Sequence, residues 1–153
     1  MVGKSSAGLL LYRIREAAIE VLLVHPGGPY WKNKDESAWS IPKGEFLPEE
    51  DPLAAARREF FEETGVAIEG ELRALKPIRQ PGGKIVHAWA VEADLDPATI
   101  VSNTFEIEWP PRSGRLQSFP EIDRGAWFSL PEARRKIVRG QVPLLEELAQ
   151  MLV

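Results

Sequence analysis

Glu59, Glu62 and Glu63 stand within five residues of one another, beside Arg58, in the segment RREFFEETG. On a helix turning about 100° per residue, with Glu59 set at 0°, Glu63 falls near +40° and Glu62 near −60°. Leu53, Ala56, Phe60 and Thr64 fall roughly between +60° and +140°. One stripe is therefore apolar and faces a core, while the adjacent stripe carries three carboxylates within about one turn. Glu59 and Glu63 form an i,i+4 like-charge pair, which disfavours a helix by roughly 0.2–0.5 kcal/mol. They also lie near the C-terminal end, where the helix dipole disfavours anions. Local rules broken by the same three residues are expected at a functional site. The physical remedy is a hard divalent cation. Carboxylate oxygens suit magnesium, with manganese as the second choice, and such an ion bridges to phosphate oxygens, polarises a phosphoryl group and activates water. A solvated acidic face is the plainer reading of the same helix, and the helix alone does not separate the two.

Charge placement narrows the choice. The net charge of the 153 residues is −4. Between Gly44 and Val66 seven acids (Glu45, Glu49, Glu50, Asp51, Glu59, Glu62 and Glu63) face Arg57 and Arg58, net −5, which leaves +1 for the rest of the chain. A patch this acidic repels a polyphosphate unless cations lie between them. No basic excess exists for a dedicated nucleic-acid binder. There is no cysteine, hence no disulfide, thiolate metal site or thiol nucleophile. No apolar run approaches the ~20 residues that span a bilayer. The opening MVGKSSAGLLLYR holds an apolar stretch too short for a signal-peptide core, so the expectation is a cytoplasmic protein without a membrane partner.

The elements that must position these residues are legible in outline. The length suits one domain over residues 1–153, with no repeat or Gly/Ser linker to divide it. Ala7–Arg13 and Ile19–His25 read as strands, and a Gly/Pro loop with Tyr30 and Trp31 follows. Trp39–Ile41 reads as a short strand ending at Pro42. Asp51-Pro52 starts a helix as N-cap and first residue, and Gly65 stops it. Strand-like stretches follow at Val66–Leu75, Ile85–Ala93, Thr104–Trp109 and Arg124–Phe128. Ser129 with Glu132 reads as a capping box for a helix towards Val138. Pro143 opens a last amphipathic helix with Leu144, Leu145, Leu148 and Leu152 at helical spacing. Strands flanked by separated helices predict a mixed-sheet α/β sandwich.

The segment GEFLPEEDPLAAARREFFEETGV satisfies G-x5-E-x7-R-E-U-x-E-E-x-G-U, where U is bulky and apolar, through Gly44, Glu50, Arg58, Glu59, Phe60, Glu62, Glu63, Gly65 and Val66. At average residue usage the chance of such agreement is on the order of one in a billion per start position. This pattern is similar to the Nudix box with every specified position met. The resemblance implies an α/β/α Nudix sandwich with a mixed β-sheet. It also implies metal-dependent cleavage of a phosphoanhydride in a nucleoside diphosphate linked to another moiety. By the same resemblance Glu59, Glu62 and Glu63 match the metal-binding carboxylates, with the Glu59 position serving in some relatives as general base. Arg58 matches the arginine that orients them, and Glu50 a supporting acid that binds metal or holds the loop. Gly44 matches the loop that brings backbone oxygens near the metal. Some members keep the fold only to bind nucleotides; those usually lose box carboxylates, and none is lost here. An isoprenoid-diphosphate isomerase on this fold would need a catalytic cysteine.

Outside the box the readings stay open. Lys43 could neutralise phosphate charge or balance the neighbouring acids. Trp39 could fill a core or stack on a base. Tyr30 and Trp31 could stack on a base or anchor their loop. Arg112 and Arg115 could clamp phosphate or stand in solvent. The resemblance also implies a further acid from a loop before Trp127-Phe128 that completes the metal site, Glu121 ahead of Asp123. His25 and His87 read as structural. The segments SAGLLLYR, WSIPKGE and EIDRGAWFSLPEA resemble the diadenosine-polyphosphate hydrolase and nucleotide pyrophosphohydrolase branch. Pro81, 15 residues past Val66, matches a spacing associated with ADP-ribose pyrophosphatases, and a turn explains it equally well. The expected substrates are dinucleoside polyphosphates, then nucleoside triphosphates, then ADP-ribose or another nucleotide sugar. Monomer and homodimer are not distinguished by the sequence.

Overall fold

The structure, a computed structural model, describes residues 5–152; the part of the opening stretch in residues 1–4 lies outside them. The chain runs β1 (Ser5–Arg15), β2 (Ala18–Pro26), β3 (Lys43–Glu45), α1 (Pro52–Thr64), β4 (Arg73–Ala74), β5 (Ile78–Arg79) and β6 (Ile85–Glu92). It continues through a 3₁₀ turn at Pro97–Thr99, then β7 (Thr104–Glu108), β8 (Leu116–Pro120), β9 (Ile122–Ser129), α2 (Leu130–Lys136), a second 3₁₀ turn at Arg139–Gln141, and α3 (Val142–Met151).

The main sheet is ordered β4-β6-β1-β2-β9, with β3 also on β1 and β5 also on β6. The β1–β6 pair is parallel and the other pairs are antiparallel, so the sheet is mixed. Alternate residues of β1 leave on opposite faces. Ala7, Leu9 and Leu11 join Ala55, Ala56 and Phe60 of α1 in one core. Leu10 and Tyr12 join Ala133, Leu144, Leu145 and Leu148 from α2 and α3 in the other. A strand covered on both faces has no polar alternation, which explains the run Leu9-Leu10-Leu11. The result is the expected α/β/α layering. Among the described residues, no helix is long and apolar enough to cross a membrane.

Helix α1 forms as its punctuation predicts. The Asp51 carboxylate accepts from the Ala54 N–H at 3.0 Å, Pro52 occupies the first turn, and Gly65 closes the helix at φ 76°. Ser129 likewise accepts from the Glu132 N–H at 3.4 Å to start α2.

Three expectations are corrected. Trp39–Ile41 is not a strand. Ser40 exchanges backbone bonds with Val24 and Trp39 bridges Ile137, and pairing resumes only past Pro42, which has no N–H to donate. Val66–Leu75 is mostly irregular, with only Arg73–Ala74 paired. Its apolar residues Val66, Ile68 and Leu72 pack on the α1 core without strand-like ladder bonds. Leu116–Pro120 is a strand that the sequence reading missed. It pairs with β7 as a separate two-stranded sheet and shows little burial, so it lacks the usual apolar pattern.

Candidate active site

The Glu59 and Glu63 side of α1 lies against β3, while Glu62 stays partly exposed. Ala55 is fully buried one turn before Glu59 on the same side of the helix. Gly44, on β3, passes so close that a Cβ there would fall 1.9 Å from Glu59 Oε2. Only glycine leaves room for that carboxylate. The next residue along the helix face, Glu63, accepts a hydrogen bond from the backbone N–H of Lys43 at 3.1 Å. Thus β3 seats two of the three box glutamates.

Arg58 seats the third. Its Nε and Nη2 donate to both oxygens of Glu50 at 2.9 and 3.0 Å, while Nη1 donates to Glu59 at 2.8 Å and to Glu62 at 3.2 Å. The bond to Glu50 raises the guanidinium's pKa further, and in return holds the Glu50 carboxyl below the usual range. Glu50 is committed to Arg58 and to the Leu47 N–H, so it holds the loop.

Burial pushes the largely buried Glu63 carboxyl up to about 8, against the Lys43 N–H and ammonium, while Glu59 and Glu121 push it further up. Burial also raises Glu59, opposed by Arg58 and reinforced by Glu62 and Glu121. Glu121, from the turn between β8 and β9, lines the same cavity as Glu63. Burial lowers the Lys43 ammonium, aided by Lys84 and opposed by Glu63, Glu45 and Glu59.

Lys43, Glu63 and Glu121 border a cavity of about 270 Å3 and give it a charged part. Val24, Ala38, Ile41, Ile122, Val138 and the Trp31 ring give it an apolar part, with Ser40, Gln80 and Gln141 as uncharged polar lining. Gln141 was not anticipated. It is fully buried, and its Oε1 accepts from the Ile41 N–H at 3.0 Å, which fixes the stretch leading into Lys43 and Gly44. Its signal was weak, because a glutamine next to an apolar helix carries no motif.

Several expected substrate contacts fall elsewhere. Trp39 is 3% exposed, wedged between His25 and Phe128, with its indole N–H given to Asp35; it is a core residue and not a base platform. Tyr30 does not line the cavity and meets Trp109 edge-on at 5.2 Å. Arg112 and Arg115 lie at the tip of the β7–β8 hairpin, beyond its Glu108–Leu116 end, whereas Glu121 follows Pro120 at the other end. Four residue steps of strand separate these ends, on the order of 13 Å, so the loop arginines stand apart from the carboxylates. Asp123, the alternative to Glu121, is engaged by His25 at 3.0 Å. His87 packs edge-on against Phe46.

Among the described residues no three acid or histidine side chains are already gathered around one point as an ion's ligands. Glu59, Glu62 and Glu63 are shared out between Gly44, Arg58 and Lys43. The donor set nevertheless fits a hard divalent cation: the donors are all oxygens, they are crowded against their own charge, and one has a glycine cradle behind it.

The NUDIX domain family matches residues 4–148 of this chain. Among solved structures, the Caenorhabditis elegans Ap4A hydrolase in a binary complex is 25% identical, with 97% of each chain covered and a TM-score of 0.63. The same hydrolase in another structure is 25% identical over 100% of both chains, at a TM-score of 0.61. The NUDIX domain of Shewanella oneidensis NrtR, complexed with ADP ribose, is 15% identical over 100% of this chain and 90% of that one, at 0.66. No curated protein matches the chain. With the box complete, its carboxylates seated between α1 and β3, and the family match running almost end to end, this chain belongs to the NUDIX domain family and is a Nudix hydrolase.

Proposed function

We propose that this chain uses a divalent cation, magnesium first and manganese second, to hydrolyse a phosphoanhydride bond in a nucleoside diphosphate linked to another moiety, a dinucleoside polyphosphate before a nucleoside triphosphate. One observation carries the reading. Glu63 and Glu121 line, beside Lys43, the charged part of a cavity whose apolar part suits a base, and Glu59 sits one turn of α1 before Glu63 against Gly44. The 25% identity to a hydrolase named for Ap4A, over nearly all of both chains, supports a dinucleoside polyphosphate.

In this reading Glu59, Glu62, Glu63 and Glu121, with the Gly44 backbone, hold the cation. When bound, it supplies Lewis-acid polarisation of a phosphoryl oxygen and eases deprotonation of water. Glu59, which burial moves towards neutrality, takes the proton of the attacking water; a base poised nearer the working pH is more effective than an ordinary carboxylate. Arg58 keeps Glu59 and Glu62 aimed, and Lys43 offsets phosphate charge as a point cation. Trp31 stacks on the base, because its ring is 37% exposed and lines the apolar part.

The test is hydrolysis of a panel with magnesium and then manganese: diadenosine tetraphosphate, the nucleoside triphosphates, ADP-ribose and nucleotide sugars, with products separated by chromatography. Diadenosine tetraphosphate should show the highest kcat/KM. Preference for ADP-ribose would move the substrate to the diphosphate sugars, and no release from any compound with either metal would overturn the hydrolase reading.

A further inference from the structure

His25 is fully buried at the end of β2, and its two ring nitrogens face groups from two segments that each contribute to the cavity lining, through Trp31 and through Glu121 and Ile122. Nδ1 lies 3.0 and 3.1 Å from the two carboxylate oxygens of Asp123, two residues after Glu121. Nε2 lies 2.6 Å from the backbone carbonyl of Lys34, three residues after Trp31. Both neighbours are hydrogen-bond acceptors within reach of the ring. The ring cannot swing aside: Trp39 meets it edge-on at 5.1 Å and is itself braced by Phe128.

The two segments meet at a second point. The Gly27 N–H donates to the Glu121 carbonyl at 2.9 Å, and Gly27 has no room for a Cβ, which would fall 2.0 Å from the Pro120 carbonyl oxygen. Between these fastenings the Gly27–Lys34 loop makes the turn bonds Trp31 N–H to Gly28 at 3.3 Å and Lys34 N–H to Trp31 at 3.0 Å, and Tyr30 leans on Trp109. Its far end is held by the imidazole at the Lys34 carbonyl and, one residue on, by Asp35, which accepts from the Trp39 indole N–H at 2.9 Å and pairs with Lys136.

We propose that His25 is a positioning residue for both ends of the site, resting on the reading above for the roles of Trp31 and Glu121. Through the Lys34 carbonyl it fixes the loop that brings the Trp31 ring over the apolar part of the cavity. Through Asp123 it withdraws that carboxylate, with Arg124 assisting at 3.4 Å, and leaves Glu121 as the acid offered beside Glu63. The ring thus decides which of two neighbouring acids completes the charged part, and sets the spacing between that acid and the aromatic platform.

The two bonds can be cut separately, because the amide nitrogen of Asn reproduces Nδ1 in position and that of Gln reproduces Nε2. His25→Asn keeps the Asp123 bond and frees Lys34. Amide hydrogen exchange should then quicken in residues 27–36 alone, and KM for diadenosine tetraphosphate should rise about tenfold with kcat within about twofold. His25→Gln keeps Lys34 and frees Asp123. Exchange should quicken at residues 121–125, and the half-saturating magnesium concentration should rise by about tenfold, the lower end of what outer-shell changes cost. Folded variants with unmoved exchange overturn the proposal, as does an identical response from both substitutions. If neither variant folds, Asp123→Ala leaves the ring and core in place and should repeat the Gln pattern; wild-type magnesium dependence there overturns it. An inactive wild-type protein with the expected exchange pattern would instead remove the hydrolase reading and keep the positioning role.

Discussion

Arg58 and Glu50, eight residues apart, are joined by two parallel hydrogen bonds of 2.9 and 3.0 Å, and this pair spans the loop between β3 and α1. A bidentate pair fixes the plane of the guanidinium as well as its position. The free edge of that plane, Nη1, is what reaches Glu59 and Glu62.

Glu50→Gln should therefore act through Arg58. An amide offers one acceptor where the carboxylate offers two, so the plane loosens. Turnover should fall about 10- to 100-fold, as for outer-shell partners in general. Arg58→Lys should fall at least as far, since an ammonium has no fork. Thermal melting should change little for either, because the pair is largely exposed. Steady-state rates beside melting curves check this; unchanged rates would detach Glu50 from the site.

Glu63 gives a stability prediction with a definite sign. Its folded-state value of about 8 stands above the ordinary 4.5, so without metal the folded chain holds a proton that the unfolded chain releases. That stabilisation is complete below about pH 4.5 and is lost as pH rises through about 8. Over this window metal-free stability should fall by at most about 1.4 kcal/mol per pH unit for one proton. Glu63→Gln, which mimics the neutral acid, should flatten that slope while reducing turnover by orders of magnitude. Urea unfolding at pH 5, 7 and 9 with a chelator reads it, and parallel slopes for both proteins would count against it.

Metal binding at pH 7 should release protons, because ions and protons compete for the same carboxylate. The enthalpy of magnesium binding should then depend on the buffer's own ionisation enthalpy. Calorimetry in two buffers checks this, and affinity should rise between pH 6 and 8.

Gly44→Ala places a methyl group 1.9 Å from Glu59 Oε2 and must displace that carboxylate. A fall in turnover of at least about tenfold is expected, with melting little altered, since the shift is confined to one side chain end. Normal turnover would show that Glu59 works equally well away from β3.

Two tryptophans should separate cleanly. Trp31→Ala should raise KM about 5- to 100-fold, the range for one lost stacking contact, without loss of stability. Trp39→Ala should instead cost about 3–5 kcal/mol in stability by emptying a core site. Steady-state kinetics and denaturant unfolding on both variants test the assignment, and the reverse outcome would exchange their roles.

The box, the helix that bears it and its caps were legible in the sequence because each depends on residues close in the chain: Asp51 with Ala54, Pro52, Gly65, and three glutamates within one turn. The covered strand β1 was legible too, since burial on both faces leaves an unbroken apolar run. Long-range placement decided the rest. Trp31 in its Gly/Pro loop was the better stacking candidate and Trp39 the better core candidate on spacing alone, and the fold decides it, because Trp39 falls between His25 and Phe128 while Trp31 lines the cavity. Glu121 and Asp123 are alternate acids two residues apart, and a histidine almost a hundred residues earlier in the chain takes one of them. Arg112 and Arg115 lie in a loop that composition could not place; the β7–β8 ladder carries it away from the carboxylates. Chemistry repeats within a turn of helix and can be read from spacing. Which neighbour occupies a given point is set by chain closure over long separations, and only the folded structure holds that information.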